Sequence, residues 1–319
     1  MLIVLATSPR VAPGLLSWPA WEALRSASAV LAPADHPLLP ALDAAGIGYR
    51  VADESEAGRF ASDDVVVWLA EPGDEPPVPA GAKLLRGSAD LPGAHLLDLV
   101  ATMDRLRVEC PWDARQTHQS LAPHLLEEPY EALDALESGD EQAFCEELGD
   151  VLLQVVFHAR VAAERDDGTG YTIDDVADGI VAKLVRRHPH VFGDVTVSGA
   201  EEVYRNWDEI KRAEKRERAE RAGVPADADG PPSALDGVPF GQPALALAAQ
   251  LQRRAGRASV PDALARLDGD PGVSDPGGDI GRELFRLVVE AREAGRDPEM
   301  ELRAAARRYR DLVRAWERS

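Results

Sequence analysis

The sequence predicts a mainly helical protein that begins with a small α/β unit. From residue 96 onward, apolar residues recur at helical spacing between Pro and Gly breaks, as in "HLLDLVATMDRLR". Before residue 96, the short β-type runs "LIVLAT" and "VVVWLA" alternate with helix-like segments. A length of 319 residues with 45% hydrophobic residues is sufficient for two or three domains with cores of their own.

The amino-terminal unit is expected to span residues 1–95. Its opening apolar run is about six residues long and follows no basic region, so it is typical of a strand and not of a signal peptide. The helix-like segments "PAWEALRSASAVLA" and "HPLLPALDAAGI" separate this run from the strand expected at 65–70. The unit contains neither of the phosphate-binding motifs GxGxxG and GxxxxGK[ST].

Start and stop signals divide the helical remainder. After the first helix and the loop "CPWDARQTH", Ser120 and Pro123 indicate the start of a second helix that ends at Gly139. Thr172 is the expected N-cap of the fourth helix, and Pro189 ends it. We expect one helical domain over 96–222, a linker over 223–239 and a second helical domain over 240–319.

Charge and cysteine content exclude several classes of protein. The formal net charge of −21 disfavours nucleic acid and anionic membranes as partners. The two cysteines, Cys110 and Cys145, form neither a disulfide framework nor a four-ligand zinc site. No apolar run approaches the roughly 18 residues of a membrane span. We therefore expect a cytoplasmic protein with free thiols.

The segment "EELGDVLLQVVFHAR", residues 146–160, combines an apolar helix with one polar line. Four polar residues follow one another at steps of three, four and four, namely Glu147, Asp150, Gln154 and His158. This spacing places them on one face of a helix. The question is why a helix that is apolar elsewhere carries two carboxylates on one stripe.

A second acid cluster answers that question. "LLEEPYEALDA" holds Glu127, Glu128 and Glu131, and the short connection "ESGDEQ" permits an antiparallel hairpin with the 146–160 helix. Carboxylates that face one another on apolar helices repel unless a cation neutralises them, and all-oxygen ligands suit Mg²⁺ or Mn²⁺. A di-iron site would require Glu-x-x-His twice, which these acid pairs do not provide. A solvated helix face with spare acids remains the alternative.

Basic residues suitable for phosphates follow at the end of the fourth helix. The segment "AKLVRRHPH" supplies Lys183, Arg186, Arg187 and His188. Lys183 and Arg187 share a helix face at i, i+4 spacing. Pairing of basic residues with the negative end of the helix dipole is the alternative interpretation.

The acid-bearing helix has a diverged second copy. When residue 278 is aligned with residue 146, the apolar positions of residues 146–160 recur in residues 278–292, "GDIGRELFRLVVEAR". Glu147 is replaced by Asp279 and Asp150 by Arg282, and no glutamate occurs from 241 to 282. If the acids do chemistry, the first copy does it and the second contributes only packing.

Six motifs in order resemble one known family. They are "CPWDARQTH", "LLEEPYEALDA", "EELGDVLLQVVFHA", "KLVRRHPHVF", "NWDEIK" and "SALDGVP…PAL". Together they resemble MazG, the nucleoside triphosphate pyrophosphohydrolase family, closely over 96–250 and loosely over 251–316. The resemblance implies an all-α NTP-pyrophosphatase helical bundle in tandem copies, usually dimeric. It also implies Mg²⁺-dependent hydrolysis of (d)NTPs to monophosphates and pyrophosphate, which cleanses the nucleotide pool.

The resemblance implies roles for individual residues. The implied metal ligands are Glu128, Glu131, Glu147 and Asp150. Glu127 is the adjacent acid and our candidate general base. The implied substrate-binding residues are Lys183, Arg186 and Arg187 for the triphosphate, with Trp207, Lys211 and, in the "CPWDxxQTH" loop, Trp112 and His118.

Three features depart from the family pattern. Pro129 interrupts the acid motif, and an interior proline costs about 3 kcal/mol and kinks a helix, which would shift Glu128 relative to Glu131. The second copy has lost its acids, so it should be inactive. Residues 1–95 resemble a tetrapyrrole methylase but lack its glycine-rich loops, as a remnant would. A regulatory scaffold with a vestigial site, or hydrolysis of another substrate such as phosphoribosyl-ATP, are the alternative functions.

Overall fold

The computed structural model describes residues 1–53, 56, 64–73, 76–221, 233–258, 260–261 and 278–319. The chain divides into two compact units, Met1–Asp194 and Val195–Ser319. The prediction of a mainly helical chain with a small α/β unit at its amino terminus is confirmed, because a parallel sheet precedes a series of helices. The part of the expected linker that covers 223–232 lies outside the described residues.

A five-stranded sheet with the strand order β3-β2-β4-β1-β5 forms the start of the first unit. Its strands are β1 (Leu2–Ala6), β2 (Ala29–Ala32), β3 (Arg50–Val51), β4 (Val66–Leu69) and β5 (Lys83–Arg86). All described pairings are parallel, with Val4 opposite both Trp68 and Leu84. The central strands β1 and β4 are apolar and almost wholly buried, as expected for a parallel sheet that is covered on both faces.

One part of the sequence interpretation of this unit was wrong. The segment "PAWEALRSASAVLA" was expected to be one helix, but it holds helix α1 (Trp18–Ser26) and then β2. A short apolar run such as "AVLA" has no periodicity that separates a strand from a buried helix. The second expected helix is confirmed as α2 (Leu39–Ala44).

An arginine ties the α/β unit to the helices that follow. Arg10, whose side chain is 8% exposed, bonds to Asp90 and donates from Nε to Asp98 Oδ2 at 2.8 Å. The hydrogen bond from Arg10 is the main cause that lowers the pKa of Asp98. Because Asp98 lies on the first long helix of the unit, the sheet is fixed to the helical part of the same unit.

Helices complete the first unit. They are α3 (Leu96–Glu109), a 3₁₀ turn (Asp113–Arg115), α4 (His118–Ser138), α5 (Glu141–Ala162), α6 (Ile173–Arg187) and the short α7 (Pro189–Phe192). Met103, Leu121, Val156 and Phe157 form a buried cluster between α3, α4 and α5. This cluster packs the first three long helices around one core.

The observed caps refine the predicted helix boundaries. Thr117, not Ser120, caps α4: its hydroxyl accepts from Ser120 N, while Ser120 Oγ accepts from Thr117 N in a capping box. Ser120 therefore lies one turn inside the helix. Gly139 ends α4 in the left-handed conformation with φ of 77°, and Thr172 caps α6, both as predicted.

The second unit consists of helices over its described residues. These are α8 (Ala200–Arg221), α9 (Ala244–Arg257), α10 (Gly278–Glu293) and α11 (Pro298–Glu317). Helix α9 packs on α10 and α11, and the buried Gln252 donates from Nε2 to Phe285 O at 2.8 Å. Throughout the described part of the chain, no helix combines the length and apolar character that a membrane crossing requires.

Candidate metal and substrate site

Helices α4 and α5 form the hairpin that carries the predicted acids. Only Gly139 and Asp140 connect them, and the Asp140 carboxylate accepts from Gln142 N and Ala143 N to cap α5. Leu121, near the start of α4, packs against Val156 and Phe157, near the end of α5. The two helices therefore run antiparallel, as the short "ESGDEQ" connection predicted.

Three carboxylates from the two helices converge across this hairpin. Glu128, Glu147 and Asp150 each offer one oxygen, and these oxygens lie within 4.8 Å of one another. Glu128 and Glu147 are half-buried, whereas Asp150 is exposed. We call these three residues the carboxylate cluster.

Two acids of the carboxylate cluster, Glu128 and Glu147, have raised pKa values. Partial desolvation raises the pKa of Glu128, and Asp150 raises it further, followed by Glu131 and Glu147. Partial desolvation also raises the pKa of Glu147, with further contributions from Glu131 and Asp150. Carboxylates in this arrangement favour a bound proton or cation.

The other two acids of the motif lie beside the cluster. Glu131 is outside the set of three whose oxygens lie within 4.8 Å, but it is near enough to raise the pKa of both Glu128 and Glu147. Glu127 is exposed, and its carboxylate lies 3.3 Å from His124 Nδ1. Helix α4 continues without a break through Pro123 and Pro129, so the proline next to Glu128 does not end it.

The donor set fits a hard divalent cation. All three groups of the cluster are carboxylates, which is the ligand chemistry of Mg²⁺ and Mn²⁺. Within the described residues, this is the one group of three or more His, Cys, Asp or Glu side chains close enough to share an ion. The chemistry of the cluster therefore agrees with the cation expected from the sequence.

The "CPWDARQTH" loop lies at the open end of the hairpin, where α4 begins and α5 ends, away from the turn at Gly139 and Asp140. Arg107, whose side chain is 8% exposed, donates to the carbonyls of Asp113 and Gln116 and binds Glu164 of the α5 end at 2.8 Å. The hydrogen bond from Arg107 lowers the pKa of Glu164. Trp112 remains 50% exposed and meets Phe157 edge-on, with ring centroids 6.5 Å apart.

A pair of histidines, which was not predicted from the sequence, joins the start of α4 to the end of α5. His118 Nδ1 and His158 Nδ1 lie 2.8 Å apart. His158 and the buried Gln154 continue the polar line of α5 beyond Asp150. His158 belongs to the polar line seen in the sequence, but no functional role was expected for it, and no local pattern joins it to a residue 40 positions away.

The predicted phosphate-binding residues lie at the end of α6. Lys183 and Arg186 are exposed and Arg187 is half-buried. In the second unit, Lys211 Nζ lies 4.5 Å from the ring centroid of Trp207, a cation–π contact on α8. The position of this pair beside the carboxylate cluster stays a prediction.

Comparison with known proteins identifies the family. The family model for the MazG nucleotide pyrophosphohydrolase domain matches residues 116–192, which contain the whole hairpin and α6. An uncharacterised 26.1 kDa protein of Streptomyces cacaoi is 48% identical over 235 residues, 74% of this chain and 88% of its own. A nucleoside triphosphate pyrophosphohydrolase of Mycolicibacterium smegmatis is 39% identical over 259 residues, 80% of this chain and 70% of its own.

A third relative comes from Thermotoga maritima. This nucleoside triphosphate pyrophosphohydrolase/pyrophosphatase MazG is 35% identical over 227 residues, which are 66% of this chain and 81% of its own. The six motifs, the hairpin with its carboxylate cluster and these matches lead to one conclusion. The chain belongs to the MazG family.

Proposed function

We propose that this protein is a nucleoside triphosphate pyrophosphohydrolase, which converts (d)NTPs and water to (d)NMPs and pyrophosphate and so cleanses the nucleotide pool. The observation that carries the proposal is the convergence of Glu128, Glu147 and Asp150 across the hairpin. The names of the M. smegmatis and T. maritima relatives support the same activity. The reaction is a hydrolysis of an acid anhydride.

The carboxylate cluster is the proposed binding site for Mg²⁺, with Mn²⁺ as a substitute and Glu131 as the fourth ligand. When bound, such an ion neutralises phosphate charge and makes a water molecule more acidic. The chain itself supplies the repulsion that makes the cluster bind a cation, and two rigid helices hold its oxygens in place.

The remaining residues have proposed roles around this centre. Glu127 is the proposed general base, because its exposed carboxylate lies on the same helix turn, one position before the cluster residue Glu128. The proposed triphosphate contacts are Lys183, Arg186 and Arg187. The proposed contacts for the rest of the substrate are Trp112, His118, Trp207 and Lys211.

We further propose a homodimer. The hairpin leaves large apolar side chains exposed, among them Leu126 at 63% and Leu148 at 48%. Helix α6 has no buried residue, and its Ile180 and Val181 are 45% and 55% exposed. Exposed apolar surface of this kind marks protein–protein contacts, and a second copy of the chain is the partner that the family resemblance implies.

The proposed organisation keeps the four segments derived from the sequence. Residues 1–95 are the methylase-like remnant, 96–222 the active helical domain, 223–239 the linker and 240–319 the inactive second copy. The proposed location is the cytoplasm, where nucleoside triphosphates are made and where the free Cys110 and Cys145 stay reduced.

Product analysis by ³¹P NMR tests the function. The full chain is incubated with Mg²⁺ and a panel of ribo- and deoxyribonucleoside triphosphates, with phosphoribosyl-ATP as a further substrate. We expect pyrophosphate and the nucleoside monophosphate from the triphosphates, and neither product from Asp150→Asn. Release of orthophosphate, turnover of phosphoribosyl-ATP alone, or no turnover would each contradict the proposal.

A further inference from the structure

The two rings of the His118–His158 pair lie side by side in one plane. Their planes differ by 2°, and their centroids are 5.1 Å apart. The centroid separation equals the 2.8 Å between the Nδ1 atoms plus the distance from each Nδ1 to its own ring centroid, so these four points lie on one line. The geometry is therefore that of a straight N–H···N hydrogen bond and not of two rings stacked face to face.

One Nδ1 atom of the pair must donate this hydrogen bond and the other must accept it. Burial is the main cause that lowers the pKa of His158, and it favours the neutral form of that ring.

Burial decides which ring donates. His158 Nε2 is buried, and among the residues that the structure describes none offers it a hydrogen bond. A proton on that nitrogen would be an orphaned buried N–H, which proteins avoid more strictly than an unpaired acceptor. The proton of His158 therefore belongs on Nδ1, where His118 Nδ1 accepts it, and the proton of His118 is left on Nε2.

The position of the pair indicates what His118 Nε2–H meets. His158 lies eight positions after Asp150, which corresponds to about 12 Å along α5. A cation held at the carboxylate cluster reaches only its own ligands and the phosphates. Trp112, which contacts Phe157, lies at the same end of the hairpin as the pair. The half-exposed ring of Trp112 makes that end suitable for the nucleoside part of a substrate whose phosphates face the cluster.

We propose that His158 is a positioning residue that holds His118 as a neutral Nε2–H donor to a hydrogen-bond acceptor on the nucleoside part of the substrate. The inference rests on the proposed pyrophosphohydrolase function for the identity of the substrate. The assignment of the two tautomers does not depend on it, because the tautomers are a property of the free protein.

Long-range ¹H–¹⁵N spectra of the full chain with ¹⁵N-labelled histidine test the assignment directly. At neutral pH we expect His158 protonated at Nδ1 and His118 protonated at Nε2, with signals assigned from single-histidine variants. The opposite tautomers, or an average of both in each ring, would overturn the proposal. A chain that shows the expected tautomers but hydrolyses no nucleotide would contradict the proposed function alone.

Kinetics with two variants test the link to substrate. His158→Asn keeps an N–H donor near the position of Nδ1, whereas His158→Phe removes it. We expect His158→Phe to lower kcat/KM about five- to tenfold through KM, as the loss of one hydrogen bond predicts, with Mn²⁺ affinity unchanged. His158→Asn should restore most of that loss, and His95→Gln, an exposed control, should change nothing. Equal kcat/KM for the Phe and Asn variants, or a loss confined to kcat, would overturn the proposal.

Discussion

Helices α5 and α10 share a pattern of apolar residues, but their polar faces carry different charges. On α5 the stripe reads Glu147, Asp150, Gln154 and His158, and at the matching positions of α10 it reads Asp279, Arg282, Arg286 and Glu290. On α10, Arg286 bonds to both Glu283 and Glu290, and this bonding lowers the pKa of Glu283. On α5, crowded acids raise the pKa of Glu147 instead.

This difference in charge indicates that α5 has a chemical role and that α10 contributes only packing. A polar face that contains both acidic and basic residues, as on α10, can form ion pairs within one helix and needs no ligand. A stripe of like charges that faces a second acidic helix, as on α5, loses stability unless something external neutralises it. A protein retains such a conflict at functional sites, so the first copy is the one to which we assign the chemistry.

The largest expected effect is on the rate of hydrolysis, when an acid of α5 is replaced by the residue found at the matching position of α10. Asp150→Arg replaces a proposed ligand by the residue that α10 carries at Arg282, so Mg²⁺-dependent hydrolysis should fall about 1,000-fold or more. Initial rates with saturating Mg²⁺ measure this loss. The matched control, Arg282→Ala, should retain activity within about twofold, since single surface changes away from a site have small effects.

An active Asp150→Arg variant would place the chemistry elsewhere. An inactive Arg282→Ala variant with an intact fold would assign a role to the second copy. Either result would remove the distinction between the two stripes.

The next largest effect should be on the free energy of unfolding, through the ion pair that Glu164 forms just after the end of α5. Glu164 binds Arg107, whereas the matching residue at the end of α10 is Arg296. Glu164→Gln should lower the free energy of unfolding by about 1 kcal/mol, a value reduced because the Glu164 side chain is 40% exposed. Urea denaturation measures this difference.

The pH dependence of that difference has a definite sign. The pKa of Glu164 is lowered in the folded chain, so its contribution is present above the ordinary glutamate value of 4.5 and is lost as pH falls toward the folded value. A difference between wild type and Glu164→Gln that grows on acidification would contradict the ion pair.

Neutralising one acid of the carboxylate cluster should stabilise the metal-free protein. The pKa of Glu147 is raised in the folded chain, so its unfavourable effect is absent at low pH and develops as pH rises through that pKa. Glu147→Gln should therefore raise the unfolding midpoint at neutral pH without metal, and remove the further increase that Mg²⁺ gives wild type. Calorimetry at pH 7 and pH 4 checks both statements; a lower midpoint for the variant at pH 7 would contradict them.

The smallest effect should come from the stripe of the second copy. Glu290→Gln removes one exposed partner of Arg286, while Glu283 remains bound to it. Exposed ion pairs contribute little, so we expect no measurable change in unfolding midpoint or in turnover. A large loss of turnover in this variant would show that α10 takes part in the reaction.

Local spacing accounts for what could be predicted from the sequence. The hairpin and the meeting of Glu128 with Glu147 and Asp150 follow from i, i+3 pairs on two helices with a short connection. Gly139 and Thr172 were recognisable as caps because their chemistry is local. Pro129 was expected to kink the helix and shift Glu128 relative to Glu131. Helix α4 is continuous and Glu128 lies close to Glu147 and Asp150, whereas Glu131 is outside this group of three.

Tertiary contacts account for what could not be predicted. Strands β2, β3 and β5 have two to four residues each and gain their conformation from pairing in the sheet. The His118–His158 bond and the Arg107–Glu164 pair join positions 40 and 57 residues apart, which no periodicity reveals.

Mn²⁺ binding, followed by the loss of the free-ion EPR signal, tests most directly whether the carboxylate cluster holds a cation. We predict that wild type and Glu290→Gln bind Mn²⁺ with equal affinity, that Mg²⁺ displaces it, and that Glu128→Gln, Glu147→Gln and Asp150→Asn each weaken binding at least about tenfold. Equal Mn²⁺ affinity in wild type and in all three cluster variants would contradict the account.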